Sequence, residues 1–215
     1  MKAFFLGFAL LAVLLAAYPF LKSSDEIASL EGLPWQIKQL SDGSTQVFGL
    51  HIGVSRLSDA LEILGTDMDM AIIAATDEVG NLEMYYGHYR AGLLSGKLLL
   101  QTDINQQEIK RLKARAAKFE YMASGLAKKY ILSTDDLPLV LDQTIIGVTF
   151  IPAVNLDEEV IQARFGIPQN LIESDQVVHY LYPEKGLHIA LHVKSKEVLQ
   201  YVSPEKFHQL VEPLQ

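Results

Sequence analysis

Three histidines near the carboxyl end of the chain, His179, His188 and His192, are the residues whose types and spacing come closest to a chemical site. They lie in two apolar runs, 177–182 and 187–194, which are joined by the turn sequence Pro-Glu-Lys-Gly. This pattern predicts a β-hairpin. Because side chains alternate between the two faces of a strand, all three histidines are expected on one face, opposite the apolar face that joins the core.

Imidazole nitrogens are common zinc ligands, so these histidines are candidate metal ligands. Counting back from the turn sets Leu181 opposite His188 and places His179 diagonal to both other histidines, at roughly 5.5–8 Å. His188 and His192 are expected about 13 Å apart along one strand, which is too far to share a metal ion. The two runs supply no Asp or Glu on that face to complete a coordination shell. We therefore predict no metal and no cofactor, and a polar surface that faces solvent or a partner.

Signatures of catalysis are absent from the sequence. It contains no Gly-x-Ser-x-Gly elbow, no glycine-rich phosphate loop that ends in Lys-Ser/Thr, and no His-Glu-x-x-His. The chain also has no cysteine, which excludes disulfides, thiolate metal sites and a cysteine nucleophile. With 18 Lys+Arg against 26 Asp+Glu in 215 residues, the net charge of −8 excludes a general nucleic-acid binder. We predict no catalytic residue and no enzymatic activity.

The aromatic run Met-Tyr-Tyr-Gly-His-Tyr at 84–89 is a second candidate surface. On a regular strand, Tyr85 and Tyr89 share one face with Gly87, and Tyr86 lies on the other face. Tyrosine is enriched at protein interfaces, so Tyr85 and Tyr89 are candidate interface residues. Packing of aromatic pairs within the sheet is the commoner use of such residues and is the alternative.

The N-terminus has the charge layout of an export signal. Lys2 precedes nineteen uncharged residues, 3–21, and Lys22 and two acidic residues follow. A membrane-spanning helix needs roughly 20 apolar residues, whereas the apolar core of a signal peptide has about 7–15 and precedes a small-residue cleavage site. Because the run is long and its cleavage pattern is poor, residues 1–22 are predicted to form an uncleaved anchor helix. A cleaved signal is the alternative.

The same layout predicts where the rest of the chain lies. A basic flank before the apolar segment and an acidic flank after it favour an N-terminus in the cytoplasm. We expect a single-pass protein of the inner membrane that faces the periplasm, or a protein secreted to the periplasm if the signal is cleaved. A non-catalytic binding or scaffolding role with an envelope protein partner is the preferred function. An envelope enzyme, or a metal- or ligand-binding sensor that uses the His179/His188/His192 face, is the alternative.

Turn signals and apolar periodicity divide the remainder into two halves of similar order. The first half has a hairpin at 35–50, a short helix that ends at Gly65, strand-like runs at 70–76, 82–89 and 97–101, and a helix capped by Asp103 or Asn105. The second half has a strand at 144–151, a helix that is capped by Asn155, turns Val160 inward and ends at Gly166, the hairpin at 177–194, a strand at 197–202 and a final helix from Ser203.

This shared order predicts an α+β fold with two tandem modules, each a short antiparallel sheet packed by helices, after the N-terminal hydrophobic helix. The predicted parts are a tether at 23–34, a first module at 35–118, a connector at 119–143 and a second module at 144–215. Few residues are identical between the halves, and one continuous α+β domain without internal symmetry is the alternative. The sequence indicates no oligomeric state.

The second half resembles a known family. Its first helix ends in Arg-Phe-Gly-Ile-Pro at 164–168, and the hairpin reads Val-Val-His-Tyr-Leu-Tyr-Pro-Glu-Lys-Gly-Leu-His-Ile-Ala-Leu at 177–191. Over residues 150–205 this resembles the small envelope domains of the SmpA/OmlA type, which are related in fold to the β-lactamase inhibitor protein. The resemblance implies a binding or scaffolding role without catalytic residues. Members of that family usually have one module and a lipid-anchored cysteine, which this chain lacks.

Overall fold

The computed structural model describes residues 32–92 and 94–214. This part of the chain contains thirteen β-strands and five α-helices. None of the five described helices has the length and apolar character that a membrane span requires. The predicted anchor at 1–22 and most of the predicted tether at 23–34 lie outside the described residues, and both stay predictions.

The elements follow one another along the chain in the order of their numbers. The strands are β1 (Lys38–Gln39), β2 (Thr45–Val47), β3 (Leu50–His51), β4 (Asp69–Ala75), β5 (Asn81–Ala91), β6 (Leu94–Thr102), β7 (Lys118–Tyr121), β8 (Ala127–Ile131), β9 (Ile145–Pro152), β10 (Asn170–Glu173), β11 (Val177–Tyr182), β12 (Leu187–His192) and β13 (Val198–Val202). The helices are α1 (Leu57–Leu64), α2 (Gln106–Arg115), α3 (Leu137–Leu141), α4 (Glu158–Phe165) and α5 (His208–Val211).

Ten of these strands form one sheet in the order β10-β11-β12-β13-β9-β6-β5-β4-β8-β7, and β1, β2 and β3 form a small separate sheet. The paired strands run antiparallel throughout. Helices combined with antiparallel sheet confirm the α+β composition that the sequence predicts.

One face of the large sheet carries the core. Alternate side chains of its central strands point into this face, and those of Leu98, Phe150 and Tyr201 have no exposed surface. Four helices cover the same face with buried side chains, namely Leu57, Ile109, Val140 and Ile161. Since full burial of one large apolar side chain contributes roughly 1.5–3 kcal/mol relative to exposure, this cluster is the main source of stability.

The two predicted halves share this sheet. Strand β6 of the first half pairs with β9 of the second half along Gly96 to Thr102. The meanders β4–β5–β6 and β11–β12–β13 therefore flank one central strand, and the two short sheets expected from the sequence are one continuous sheet. Gly96 permits this close pairing, because a Cβ atom there would collide with the Phe150 ring and the Ile151 carbonyl.

The segment 119–143, predicted as a connector, belongs to the folded body. Strand β7 and strand β8 form a hairpin, and β8 pairs with β4 so that the hairpin extends the sheet. A short helix, α3, lies near its end. Strand β7 reads Lys-Phe-Glu-Tyr, which alternates polar and aromatic residues, but all four side chains are exposed, so this short alternation marks no buried face.

Helix α4 begins later than the sequence predicts. Its N-cap is Asp157 and not Asn155, and the Asp157 carboxylate accepts a hydrogen bond from the Val160 N–H at 2.8 Å. Ile161 and Phe165, which are four residues apart on one helical face, are the residues that α4 buries. Val160, predicted to face inward, is exposed.

Candidate binding site on the open face of the sheet

The face of the large sheet opposite the core is called here the open face. Helices α1–α4 bury their side chains in the core on the other side, and among the described helices α5 alone packs on the open face. Phe207 and Leu210, at α5, form an apolar cluster there with Leu181 and Val202. The rest of the open face carries two features, an apolar trough over β8, β4, β5, β6 and β9 and the histidines of β11 and β12.

The trough has a volume of about 540 Å³. Its apolar lining comes from three strands and one turn, and consists of Ala71 and Ile73 of β4, Leu99 of β6, Ile151 of β9 and Met122 of the β7–β8 hairpin. These strand residues alternate with core residues such as Ile72 and Leu98, so β4, β6 and β9 carry apolar side chains on both faces. The volume lies within the range of about 300–1,000 Å³ that is usual for ligand pockets.

Polar side chains complete the lining of the trough, namely Asp69, Glu83, Tyr85, Lys97, Lys129 and Thr149. The Lys129 ammonium pairs with the Asp69 carboxylate at 3.4 Å. Glu83 is half-buried, and burial raises the pKa of its carboxyl group. Lys97 is exposed and makes no ion pair with the residues that the structure describes. The trough therefore combines an apolar floor with an unpaired cation and a carboxyl group that is poorly hydrated.

The predicted register of the histidine hairpin is confirmed. Strands β11 and β12 pair with Leu181 opposite His188 and Val177 opposite His192, which places the three histidines on the open face. The Nδ1 atom of His179 and the Nε2 atom of His188 are 2.9 Å apart, a hydrogen-bond distance. The two rings stack with their centroids 5.1 Å apart. The structure thus brings two of the three histidines into direct contact.

Gln200 of β13 determines the proton positions in this pair. Its Oε1 atom is 3.0 Å from His188 Nδ1, and because a carbonyl oxygen only accepts, His188 donates the proton on Nδ1. The neutral His188 ring then accepts at Nε2, and His179 donates from Nδ1. Both nitrogens of His188 are therefore used by protein partners, and only the Nε2 atom of His179 is left for another group.

Burial keeps the pair uncharged at neutral pH. Only 4% of His188 is exposed, and desolvation of the charged ring, with a smaller contribution from the His179 charge, lowers the pKa of His188 from 6.5 to about 4. The hydrogen bond to Gln200 acts in the opposite direction and is the weaker effect. Burial and then the charge of His192 lower the pKa of His179. Above pH 7 the pair is a neutral, hydrogen-bonded part of the sheet surface.

The histidines do not assemble with other ligands into a metal site. Within residues 32–92 and 94–214, no three His, Cys, Asp or Glu side chains are grouped to hold a metal ion. His179 and His188 contact each other, whereas His192 lies four residues farther along β12 than His188. That the protein binds no metal or cofactor, and that it has no catalytic residue, stay predictions from the sequence.

The prediction that Tyr85 and Tyr89 share a face is wrong, because β5 contains a β-bulge. Tyr86 pairs with Leu98 but Tyr89 pairs with Gly96, so the bulge shifts the alternation by one residue between them. Tyr89 is partly buried on the core face, where its ring centroid is 5.7 Å from that of Phe48 and burial raises its pKa to about 12. Tyr85 alone lines the trough and stays a candidate interface residue.

The trough was not predicted from the sequence, although the sequence contains a signal for it. The run Leu98-Leu99-Leu100 has apolar residues at consecutive positions, and Ile72-Ile73 does too. A strand with apolar residues at consecutive positions has an apolar side chain on each face, which is typical of strands that are covered by other groups on both faces. What the sequence lacks is the strand order that places Ile73, Leu99 and Ile151 side by side.

No protein-family model, curated protein or solved structure matches this chain.

Proposed function

We propose that this protein is a non-catalytic binding protein of the cell envelope that docks a protein partner on the trough of its open face. The observation that carries the proposal is the apolar floor of the trough, which lies on a sheet face that no described helix covers at that point. Exposed apolar patches with polar margins are characteristic of binding surfaces in soluble domains.

The composition of the trough supports a protein as the occupant. Protein interfaces combine an apolar centre, enriched in Tyr and Met, with a polar rim. Leu99 and Ile151 provide the apolar centre, and Tyr85 and Met122 provide the residue types enriched at interfaces. Lys97, which has no described ion-pair partner, supplies a charge that orients an acidic group of the partner.

The envelope location of this proposal comes from the sequence of residues 1–26. A basic residue, a long uncharged run and an acidic flank support an inner-membrane anchor with the described residues in the periplasm. Secretion to the periplasm after signal cleavage is the alternative. The resemblance of residues 150–205 to SmpA/OmlA-type envelope domains supports a place in the cell envelope, and it implies a binding or scaffolding role.

We also propose that the two halves are tandem units of one arrangement. The series α1–β4–β5–β6–α2 and α4–β11–β12–β13–α5 have a helix, a three-stranded meander and a second helix in the same order, with β10 inserted in the second series. The last strand of each meander pairs with β9. Because β6 and β13 occupy equivalent positions beside β9, their pairing supports the proposal that the two halves are repeated units. The same pairing joins the two units in one sheet.

The alternative of an envelope enzyme or a metal- or ligand-binding sensor rests on the three histidines. The hydrogen bonds of His188 to His179 and Gln200 occupy both of its ring nitrogens. An imidazole in this state is not free to act as a base or as a ligand without breaking a buried hydrogen bond, which costs about 1–3 kcal/mol. The binding role is therefore preferred.

Site-specific photocrosslinking in cells tests the proposed function. Tyr85 is replaced by p-benzoylphenylalanine, which keeps an aromatic ring in the trough, and Glu62 is replaced in the same way as a matched control. Glu62 is an exposed residue of α1, on the side of the molecule opposite the open face. Adducts are isolated from the membrane fraction and identified by mass spectrometry.

The expected result is one discrete protein adduct from position 85 that position 62 does not give. It should weaken when Lys97→Glu reverses the charge at the trough. The same set of adducts from both positions, or none from position 85, would contradict docking on the open face. A small-molecule adduct at position 85 would instead assign the trough to ligand binding.

A further inference from the structure

A second surface differs in charge from the rest of the protein. The segment 106–131, which comprises α2 and the β7–β8 hairpin, has seven basic and two acidic residues in a chain of net charge −8. The basic residues are Lys110, Arg111, Lys113, Arg115, Lys118, Lys128 and Lys129. Asp69 pairs with Lys129, and Asp136 pairs with Arg115. Segment 106–131 together with these two aspartates is called here the hairpin surface. It has seven basic and four acidic groups, an excess of three positive charges.

The tip of the hairpin also exposes large apolar side chains. Residues 117–126 are all exposed. The exposed fractions are 52% for Phe119, 66% for Tyr121 and 74% for Leu126. Exposed clusters of large apolar side chains are uncommon on soluble proteins, and they mark contacts with another protein or with a membrane.

Basic and aromatic groups alternate on one side of the hairpin. The Lys128 ammonium lies 5.0 Å from the Phe119 ring centroid and 5.2 Å from that of Tyr121. On the same side, the Lys113 ammonium of α2 lies 4.8 Å from the Tyr130 ring centroid. The Lys128 stem thus extends over two rings, as long basic side chains do at a membrane–water interface. The Lys113 ammonium also donates to the Val79 carbonyl oxygen at 2.9 Å and is held against the folded body.

We propose that the hairpin surface docks on a membrane that contains anionic lipids, with Phe119, Tyr121 and Leu126 at the level of the headgroups. Aromatic rings prefer this level, and basic residues near it are attracted by the negative surface potential. The backbone of the edge strand β7 stays hydrated in the headgroup region, so its unpaired N–H and C=O groups need no protein partner. This surface adjoins the partner site, because Met122 and Lys129 of the same hairpin line the trough. Phe119 and Tyr121 lie on the other face of the hairpin, as their pairing with Tyr130 and Lys128 shows.

Two observations favour a lipid surface over a protein strand added at the β7 edge. First, β7 has four residues, two of them the charged Lys118 and Glu120, and short charged edges resist strand addition. Second, nine residues, 23–31, separate the end of the predicted anchor at 22 from Gly32. The ten steps from residue 22 to Gly32 span at most about 36 Å. The predicted anchor would therefore hold Gly32, and the folded body that follows it, close to the bilayer.

The test measures whether the hairpin tip reaches lipid in the full-length protein. The chain has no cysteine, so Ala123→Cys at the hairpin turn gives a single site for an environment-sensitive fluorophore. Ser174→Cys, exposed between β10 and β11 at the other edge of the sheet, is the matched control. Each labelled protein is reconstituted in nanodiscs of phosphatidylcholine alone or with 30% phosphatidylglycerol, and with lipids that carry a nitroxide near the headgroup.

The label at position 123 should be quenched by the nitroxide lipids in the anionic nanodiscs, less in phosphatidylcholine alone, and little at high salt. The label at position 174 should not be quenched in any of them. Removing one basic residue with Lys128→Gln should lower the ratio of docked to free hairpin about fivefold. The triple change Phe119→Ser, Tyr121→Ser and Leu126→Ser should abolish quenching.

Three outcomes would overturn the proposal. One is a hairpin label that stays accessible to water in every lipid, and another is equal quenching at positions 123 and 174. The third is a label that becomes shielded only when an envelope protein extract is added, which would assign the hairpin surface to a protein. The exposed substitution Val193→Ser removes an apolar side chain elsewhere and should leave quenching unchanged.

Discussion

Acidification is expected to destabilise this protein through His188. In the folded state this ring is almost fully buried between His179 and Gln200, and its pKa is lowered from 6.5 to about 4. In the unfolded state the ring is hydrated and keeps its ordinary pKa. Between pH 6.5 and about 4 the unfolded chain therefore binds one more proton at this residue than the folded chain, and stability falls as the pH falls.

The size of the effect follows from the difference between the two pKa values. Each pH unit between them corresponds to about 1.4 kcal/mol, so His188 should account for a loss of about 3 kcal/mol between pH 7.5 and pH 4. His179, whose pKa is also lowered, adds to the loss in the same direction. A change of about 3 kcal/mol is a large part of the 5–15 kcal/mol by which folded domains are usually stable.

Urea unfolding at a series of pH values measures this loss, with Trp35, the single tryptophan, as the fluorescent probe. Its ring lies against Phe165, with the centroids 6.3 Å apart, so its emission should report the packing of the core. The variant His188→Gln removes the titrating group and keeps a polar side chain. The variant His208→Gln removes a histidine from the exposed surface of α5 and serves as the control.

The wild type and His208→Gln should lose about 3 kcal/mol more between pH 7.5 and pH 4 than His188→Gln does. His188→Gln should also be less stable than the wild type at pH 7.5, because it loses the hydrogen bond to His179. Carboxylates titrate in all three proteins, and their contribution cancels in the comparison. An equal loss in the wild type and His188→Gln would show that the buried ring is not dehydrated, and would refute the reasoning.

Two further predictions concern the core and the histidine pair. The Tyr201 hydroxyl donates to the buried Pro34 carbonyl oxygen at 3.0 Å, so Tyr201→Phe should lower the free energy of unfolding by about 1–2 kcal/mol in urea. Tyr121→Phe, on an exposed ring, should change it by less than about 0.5 kcal/mol, and similar values for both would contradict the assignment. Calorimetric titration with zinc at pH 7 should show no equimolar uptake, because both ring nitrogens of His188 are engaged. Uptake that disappears in His179→Ala would refute this.

The register of the histidine hairpin could be predicted because two local signals agree. The turn Pro-Glu-Lys-Gly determines where the chain reverses, and the alternation of apolar residues determines which side chains face the core. A shift by one residue would have moved Tyr180 and Ile189 out of the core, so the pairing was strongly determined. The hydrogen bond between His179 and His188 was not predicted, since alternation places side chains on a face without giving their separation.

The bulge in β5 and the β7–β8 hairpin were missed for different reasons. The bulge between Tyr86 and Tyr89 places two residues of β5, instead of one, opposite Lys97. Gly87 is compatible both with a bulge and with a regular strand, so the local sequence does not distinguish the two. The hairpin is held by pairing with β4, and the side chains of β7 stay exposed rather than joining the core. Its strand character thus depends on a neighbour that is more than forty residues earlier in the sequence.

The amino-acid sequence alone was enough to predict most of the helices and strands, the helix ends at Gly65 and Gly166, the core face of the regular strands that it indicated, and the absence of disulfides. These properties depend on side-chain periodicity and on backbone conformations that local residues select. Three other properties required the three-dimensional structure: both meanders pair with β9, Ile73, Leu99 and Ile151 line one trough, and His188 is buried. Those properties depend on which strands lie side by side. The strand order depends in turn on contacts between distant segments, because residues from both halves pack into one core cluster.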